Sequence, residues 1–319
     1  MTVRYRNPVF PDYFADPFVL GPRDTDGGYV AFGTGRLVDG LAFEVLRSDD
    51  LVTWRSVGGA LEPPPAELGG DLWAPEVTRA DGRWWMYYSV GHADVGHRLR
   101  VAVADTVTGP YADCGVDLAP DERFAIDPHP FEDADGTRYL FYARDVLEGD
   151  RVGTMLAVDV LESPTRLSGK PTPVLAPSGD WQIFRRQRPM YGGVHDWHTL
   201  EGPFVVRRDG RYVLFYSGGN WEEPTYAVSY AVADHPLGPW REPEGAEPLL
   251  RTVPGRVVGP GHNSVVTTPD GVDVLCYHAW DTELTARRLC VDPIVWTATG
   301  PRVQGPSWEP ADLHAHLRG

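Results

Sequence analysis

The sequence predicts an all-β fold, a five-bladed β-propeller of four-stranded antiparallel blades, and three observations carry that expectation. An Asp-Gly pair begins at positions 26, 81, 135, 209 and 270, at intervals of 55, 54, 74 and 61 residues. Such a pair accepts the positive φ of a tight hairpin turn. An acidic or His-bearing segment precedes each pair, and aromatic-rich runs follow, as in Trp84-Trp85-Met86-Tyr87-Tyr88, Tyr139-Leu140-Phe141-Tyr142 and Tyr212-Val213-Leu214-Phe215-Tyr216. Thirty Pro and 35 Gly punctuate short runs rich in Val, Tyr, Phe and Trp. That is how many short antiparallel strands read, and the helical signal is weak beside it.

Taken in order, the copies open on Asp16-Pro17-Phe18-Val19, Pro75-Glu76-Val77, Asp127-Pro128, Glu201-Gly202-Pro203-Phe204 and Gly261-His262-Asn263-Ser264. Ser48-Asp49-Asp50-Leu51-Val52-Thr53-Trp54 closes the first copy, and Gly109-Pro110-Tyr111 and Gly238-Pro239-Trp240 close the second and fourth. Four strands fit into about 55 residues at usual strand and turn lengths. Periods of this size mark propellers, solenoids or arrays, and five four-stranded blades lie within the propeller range. No linker interrupts the series, so one domain is expected over residues 1–319. The 74-residue interval carries a surplus over 181–198, aromatic and basic in an acidic chain. It reads as a loop at the mouth of an axial site, or as one packed on the face by its own aromatics.

Of the 319 residues, 42% are hydrophobic and 23% charged, the proportions of a globular protein, and the formal net charge is −16. A charge of that sign argues against a nucleic-acid or anionic-membrane partner, which would need a basic patch; a neutral sugar is compatible with it. Cys114, Cys276 and Cys290 fit no zinc or redox spacing, and Cys276 and Cys290 are expected as reduced core thiols. Residues 1–8 show no apolar leader, and no apolar run is long enough to span a bilayer, so a cytoplasmic protein is expected. No P-loop, GxGxxG or GxSxG motif supports nucleotide or serine-hydrolase chemistry.

The chemistry gathers where equivalent strands meet. Asp16, Asp127 and Glu201 open the first, third and fourth copies, each at the start of an expected innermost strand. Carboxylates clustered in a half-dry pocket push their pKa values apart, leaving one ionised as a base and another protonated as an acid. Cleavage of a glycosidic bond requires that pair. One such acid alone would be read as a turn cap; three at repeat openings point to a site.

In Asn7-Pro8-Val9 before Ala15-Asp16-Pro17, Trp73-Ala74-Pro75-Glu76-Val77, Ile126-Asp127-Pro128, Glu201-Gly202-Pro203, Gly259-Pro260-Gly261-His262-Asn263-Ser264, and Arg287-Arg288-Leu289 before Asp292-Pro293, the chain resembles glycoside hydrolase family 43 over nearly its whole length. Each motif is weak alone; their order and spacing are specific. The resemblance implies a five-bladed propeller acting on arabinose- and xylose-containing glycans with inversion. It places the general base on Asp16, the modulator of the acid's pKa on Asp127 and the general acid on Glu201. It also implies that His262 helps hold a hydrated calcium or other ion in the central channel, against the alternative of a hydrogen-bonded core histidine. Arg287 matches an arginine that reaches a substrate hydroxyl or the acid's surroundings, with Arg288 facing the other way. Glu76 stands where the family more often has Asp and reads as a turn or strand-edge carboxylate. Trp73 can stack on a sugar or pack in the core. Trp197 and His198 read as substrate contacts or loop packing; with His195 and Asp196 they form no metal signature.

The function expected is release of a pentose from an arabinose- or xylose-containing oligosaccharide, with an exo-acting α-L-arabinofuranosidase ahead of a β-D-xylosidase. An endo-arabinanase fits if 181–198 leaves the cleft open. A retaining enzyme with the propeller of the invertases is not supported, since neither an Asn-Asp-Pro-Asn nor a Glu-Cys motif occurs. A carbohydrate-binding propeller without catalysis should have lost one of the three carboxylates, and all are present.

Overall fold

A computed structural model describes residues 3–245 and 247–314; the extreme ends of the expected 1–319 domain lie outside the described residues. Hairpin turns, bulges and aromatic strands build an all-β chain. Its helical content among the described residues is two 3-10 turns, Ala66–Leu68 and Asp180–Gln182. Asp81-Gly82 and Asp209-Gly210 carry positive φ at both positions (52° and 76°, 49° and 78°), the requirement of the two-residue turns they occupy.

Three four-stranded antiparallel sheets match the expected blade. The first runs Ala15–Leu20, Tyr29–Thr34, Ala42–Ser48, Arg55–Leu61; the second Asp71–Ala80, Arg83–His92, Val95–Ala104, Ala112–Asp117. The last runs Val258–Thr267, Asp273–Trp280, Arg287–Thr297, Gly300–Val303. The third and fourth copies depart from the expectation, because they join into one nine-stranded sheet. Its seam is a parallel pairing of Gly153 with His198 and Thr154 with Thr199. The cause is the 74-residue interval. Residues 183–198 form not a loop but a hairpin, Ile183–Met190 against the start of the long strand Gly193–Arg208, and that extension reaches the neighbouring copy.

The first strand of each copy is an edge strand of its sheet except Gly193–Arg208, which the seam makes interior, and all five touch in a closed cycle: Ala15–Leu20, Asp71–Ala80, Ala125–Glu132, Gly193–Arg208, Val258–Thr267, and back to Ala15–Leu20. Apolar layers fill the spaces between sheets; Phe32, Met86, Tyr88 and Tyr111 are buried between the first two. Cys276 and Cys290 lie on adjacent strands as free, buried thiols.

Both chain ends are held at the last sheet. Arg4–Tyr5 pairs with Ala311–Asp312, and Asn7 bonds Val291 at both its N–H and its carbonyl. The fully buried Asp292 accepts from Tyr5 Oη at 2.6 Å, Tyr277 Oη at 2.7 Å and the Ser307 amide at 3.1 Å. Asp292→Ala strands two buried hydroxyls and a part-buried amide. It is expected to cost about 3 kcal/mol and lower the Tm by roughly 5 °C, read by thermal melting; an unchanged Tm would show that the clasp is not needed.

Candidate active site

A bulge recurs at the same place in the first strand of all five copies. The register slips between Ala15 and Phe18, Trp73 and Glu76, Ile126 and His129, Glu201 and Phe204, and Gly261 and Ser264. The first bulged residue is left-handed every time: Asp16 (φ 50°), Ala74 (49°), Asp127 (58°), Gly202 (54°) and His262 (47°). Asp tolerates this region better than most side chains, whereas Ala and His there mark a constrained backbone. A bulge of this kind re-aims a side chain. Asp16, Asp127 and His262 accordingly point to a common place, and Glu201 joins them from one residue earlier in its copy. The three carboxylates are therefore not at one matched position: Asp16 and Asp127 are equivalent, and Glu201 is offset by one.

These residues line a cavity of about 610 Å³ together with Tyr13, Arg36, Asp71, Trp73, Asp94, Trp221, Glu222 and Arg287. A small recess beyond Glu201 continues past Trp73 and Trp221 to Arg188 and Trp197. The size and the aromatic-plus-carboxylate lining are those of a small-ligand site.

The electrostatics set the carboxylates apart. Burial alone would raise Asp16, but the Arg287 guanidinium and the His262 and His278 imidazoles outweigh it and hold its carboxyl well below the usual range. Arg287 Nη1 donates to Asp16 Oδ1 at 3.1 Å, while the guanidinium bonds Tyr13 Oη and sits 4.4 Å over the Trp221 ring. His278 Nδ1 accepts the Asp16 amide at 3.0 Å, and burial pushes its pKa down to about 4, so it stays neutral. Glu201 goes the other way: burial, with repulsion from Asp16, pushes it up to about 7 against the opposing effect of Tyr226. Tyr226 Oη donates to Glu201 Oε1 at 2.6 Å. Asp127 is raised by burial, then by the charges of Glu201 and Asp16, although the Gly202 amide donates to its Oδ2 at 2.9 Å. Near neutral pH the pocket thus holds an ionised Asp16 and a Glu201 that still keeps its proton in a substantial fraction of molecules, with Asp127 beside it, an acid–base pair set by environment.

Tyr226→Phe removes the donor that eases ionisation of Glu201. Its pKa is expected to rise, so the alkaline limb of the kcat profile moves to higher pH; a downward move would contradict the assignment.

The other expected residues divide. Trp73 lines the cavity and stacks on His97, ring centroids 3.7 Å apart, so it packs in the fold and also borders the site. Arg288 turns away and donates to the Pro11 carbonyl. Trp197 is buried and reaches only the recess, with Nε1 bonded to Thr154 Oγ1. His198 is not brought to this pocket; it lines a separate depression on the outer side of the hairpin and points Nδ1 at the Val152 carbonyl. Glu76 is no strand-edge carboxylate. It is buried and bonded to His129 Nδ1 at 2.7 Å, and His129 Nε2 accepts the Val205 amide, because the bulge turns this position toward the neighbouring strand.

His262 Nδ1 lies 3.5 Å from Asp16 Oδ1 and 3.8 Å from Asp127 Oδ2, and burial lowers its pKa. Among the described residues no group of three or more His, Cys, Asp or Glu could hold a metal ion. One imidazole does not fit a hard cation that prefers oxygen donors. Tyr226, His278, Tyr13 and Trp221 were not singled out from the sequence.

Known proteins resemble this chain over most of its length. The sequence profile described as Glycosyl hydrolases family 43 matches residues 5–301. An extracellular exo-α-(1→5)-L-arabinofuranosidase of Streptomyces chartreusis is 27% identical over 292 residues, covering 86% of this chain and 82% of its own. The β-D-galactofuranosidase xynD of Aspergillus niger is 29% identical over 317 residues, covering 92% and 83%. Among solved structures, a thermostable family-43 glycoside hydrolase superposes with a TM-score of 0.84 at 30% identity, covering 96% of this chain and 98% of that one.

Proposed function

The chain belongs to glycosyl hydrolases family 43 and is a glycoside hydrolase, and on that premise we propose that it is an inverting, exo-acting α-L-arabinofuranosidase, a single five-bladed propeller with its site on the axis. The observation that carries this reading is the opposite environments of two carboxylates in one cavity. Asp16, held ionised by Arg287, takes a proton from the attacking water. Glu201, held protonated near neutrality, gives its proton to the leaving oxygen. Asp127 faces Glu201 and keeps its acid form favoured. Such an inverting pair needs roughly 6.5–9.5 Å between the carboxyls to admit the water.

Two observations support the finer reading. Arg188, stacked on Phe184 and Trp197, donates to Asp94 at 2.8 Å and so straps the 183–198 hairpin to the second sheet at the cavity's edge. A barrier on that side favours cleavage at a chain end over cleavage within a chain. The two similar enzymes named above act, by their names, on furanosides, one of them as an exo enzyme.

Initial rates on aryl α-L-arabinofuranoside and aryl β-D-xylopyranoside, measured side by side, test the assignment. A clear preference for the arabinofuranoside is expected; preference for the xyloside would make it a β-D-xylosidase. Cleavage of linear arabinan only in mid-chain would overturn the exo mode.

A further inference from the structure

A ring of hydrogen bonds runs around the five bulges, and it is broken once. The residue paired with each pre-bulge position on the second strand of the same copy is Thr34, Ser89, Ala143, Ser217 or His278. In four copies that side chain accepts the bulge amide of the next copy. Thr34 Oγ1 takes the Ala74 amide at 2.8 Å, Ser89 Oγ takes that of Asp127 at 3.0 Å, Ser217 Oγ takes that of His262 at 2.7 Å, and His278 Nδ1 takes that of Asp16 at 3.0 Å. In the remaining copy the residue is Ala143, fully buried and without an acceptor. The amide it would have served belongs to Gly202, and that amide donates instead to Asp127 Oδ2 at 2.9 Å.

We propose that Ala143 is a positioning residue for the reaction: by offering no acceptor at this place in the ring, it leaves the Gly202 amide to the Asp127 carboxylate and thereby fixes Asp127 beside Glu201. The inference rests on the role given to Asp127 above. A buried amide must find an acceptor, and the side-chain oxygen or nitrogen that serves the bulge amide in the other four copies is missing at Ala143. The bond ties Asp127 to the backbone next to the acid. It also favours the ionised form of Asp127, whose charge in turn disfavours ionisation of Glu201. The groups facing Asp127 are Asp16, Glu76, Glu201 and His262; those facing Glu201 are Tyr226, Asp16, Arg287, Asp94 and Asp127. Changing Ala143 alters none of them directly.

The test is Ala143→Ser, with Ala143→Gly and Asp127→Asn as companions, on an unactivated arabino-oligosaccharide. Ser at this position can accept the Gly202 amide as Ser89 and Ser217 accept theirs. Asp127 then loses a donor and is protonated more readily, and Glu201 ionises more easily. A143S is expected to lower kcat about tenfold with KM little changed, and to move the alkaline limb of kcat to lower pH. In the D127N background A143S should have no further effect. A143G, which still offers no acceptor, should keep the wild-type pH limbs even with a lower Tm. The proposal is overturned if A143S keeps its limbs, if it lowers kcat by the same factor with and without Asp127, or, should A143S not fold, if A143G shifts the limbs. A wild-type kcat for D127N would instead overturn the role of Asp127 itself.

Discussion

Glu201→Gln is expected to reduce kcat on an unactivated arabinoside by 10²–10⁴-fold, the usual contribution of a general acid. The loss should shrink on aryl glycosides whose leaving group departs without a proton. The same substitution should stabilise the fold at alkaline pH. Glu201 is raised to about 7 in the folded protein from 4.5. The unfolded chain therefore gives up this proton first as pH rises, and stability is lost between about pH 4.5 and 7. Gln carries no such cost. The stability advantage of E201Q should be near zero at pH 4 and reach a plateau above pH 7, on the order of 3 kcal/mol. Scanning calorimetry of both proteins from pH 4 to 8.5 checks it; an advantage that shrinks as pH rises would contradict the burial-raised acid.

Asp16→Asn should be as damaging to rate but differ in two ways. Loss of the base removes activation of water whatever the leaving group, so activated aryl glycosides should not be spared. The stability effect has the opposite sign. Asp16 is held below its ordinary pKa by Arg287, His262 and His278 against burial, so it stabilises the fold above about pH 4, and that stabilisation fades as the pH falls further. Asn fits the left-handed backbone at φ 50°, so strain adds little. Arg287, however, is left buried with Tyr13 as its remaining hydrogen-bond partner. Breaking one side of a buried pair costs about 3–5 kcal/mol. D16N should melt lower than wild type at pH 7, and the gap should begin to narrow only below about pH 4, because folded Asp16 stays ionised well into the acid range. A D16N protein as stable as wild type at pH 7 would contradict the ion pair.

The strand series was legible because its punctuation is chemical: Asp-Gly turns and aromatic runs mark each hairpin locally. Asp16, Asp127 and Glu201 were legible because they open copies of that series, Trp73 because it precedes an inner strand, and His262 and Arg287 because the resemblance points to them; the structure brings all six to one cavity. What escaped has a physical reason. The bulge is a backbone event, so Glu201 looked matched to Asp16 when it sits one residue earlier, and Glu76 looked peripheral when it is buried against His129. Tyr226 lies between strands with nothing in the repeat to mark it. His278 occupies the phase of Thr34, Ser89, Ala143 and Ser217, which becomes visible only once the bulges align the copies. The hairpin at 183–198 merged two sheets because its pairing partner, Gly153-Thr154, is some 45 residues away, beyond any local pattern.

The most direct test of the central claim is the pH dependence of kcat/KM for wild type and E201Q on an aryl α-L-arabinofuranoside whose leaving group still needs a proton to depart. The account predicts a wild-type profile that is flat far into the acid range, because Asp16 stays ionised there, and that falls on an alkaline limb near pH 7. E201Q should keep its residual activity at pH 8 with that limb gone. An alkaline limb that persists unchanged in E201Q would show that another group gives the proton, and the assignment of Glu201 as the acid would fall.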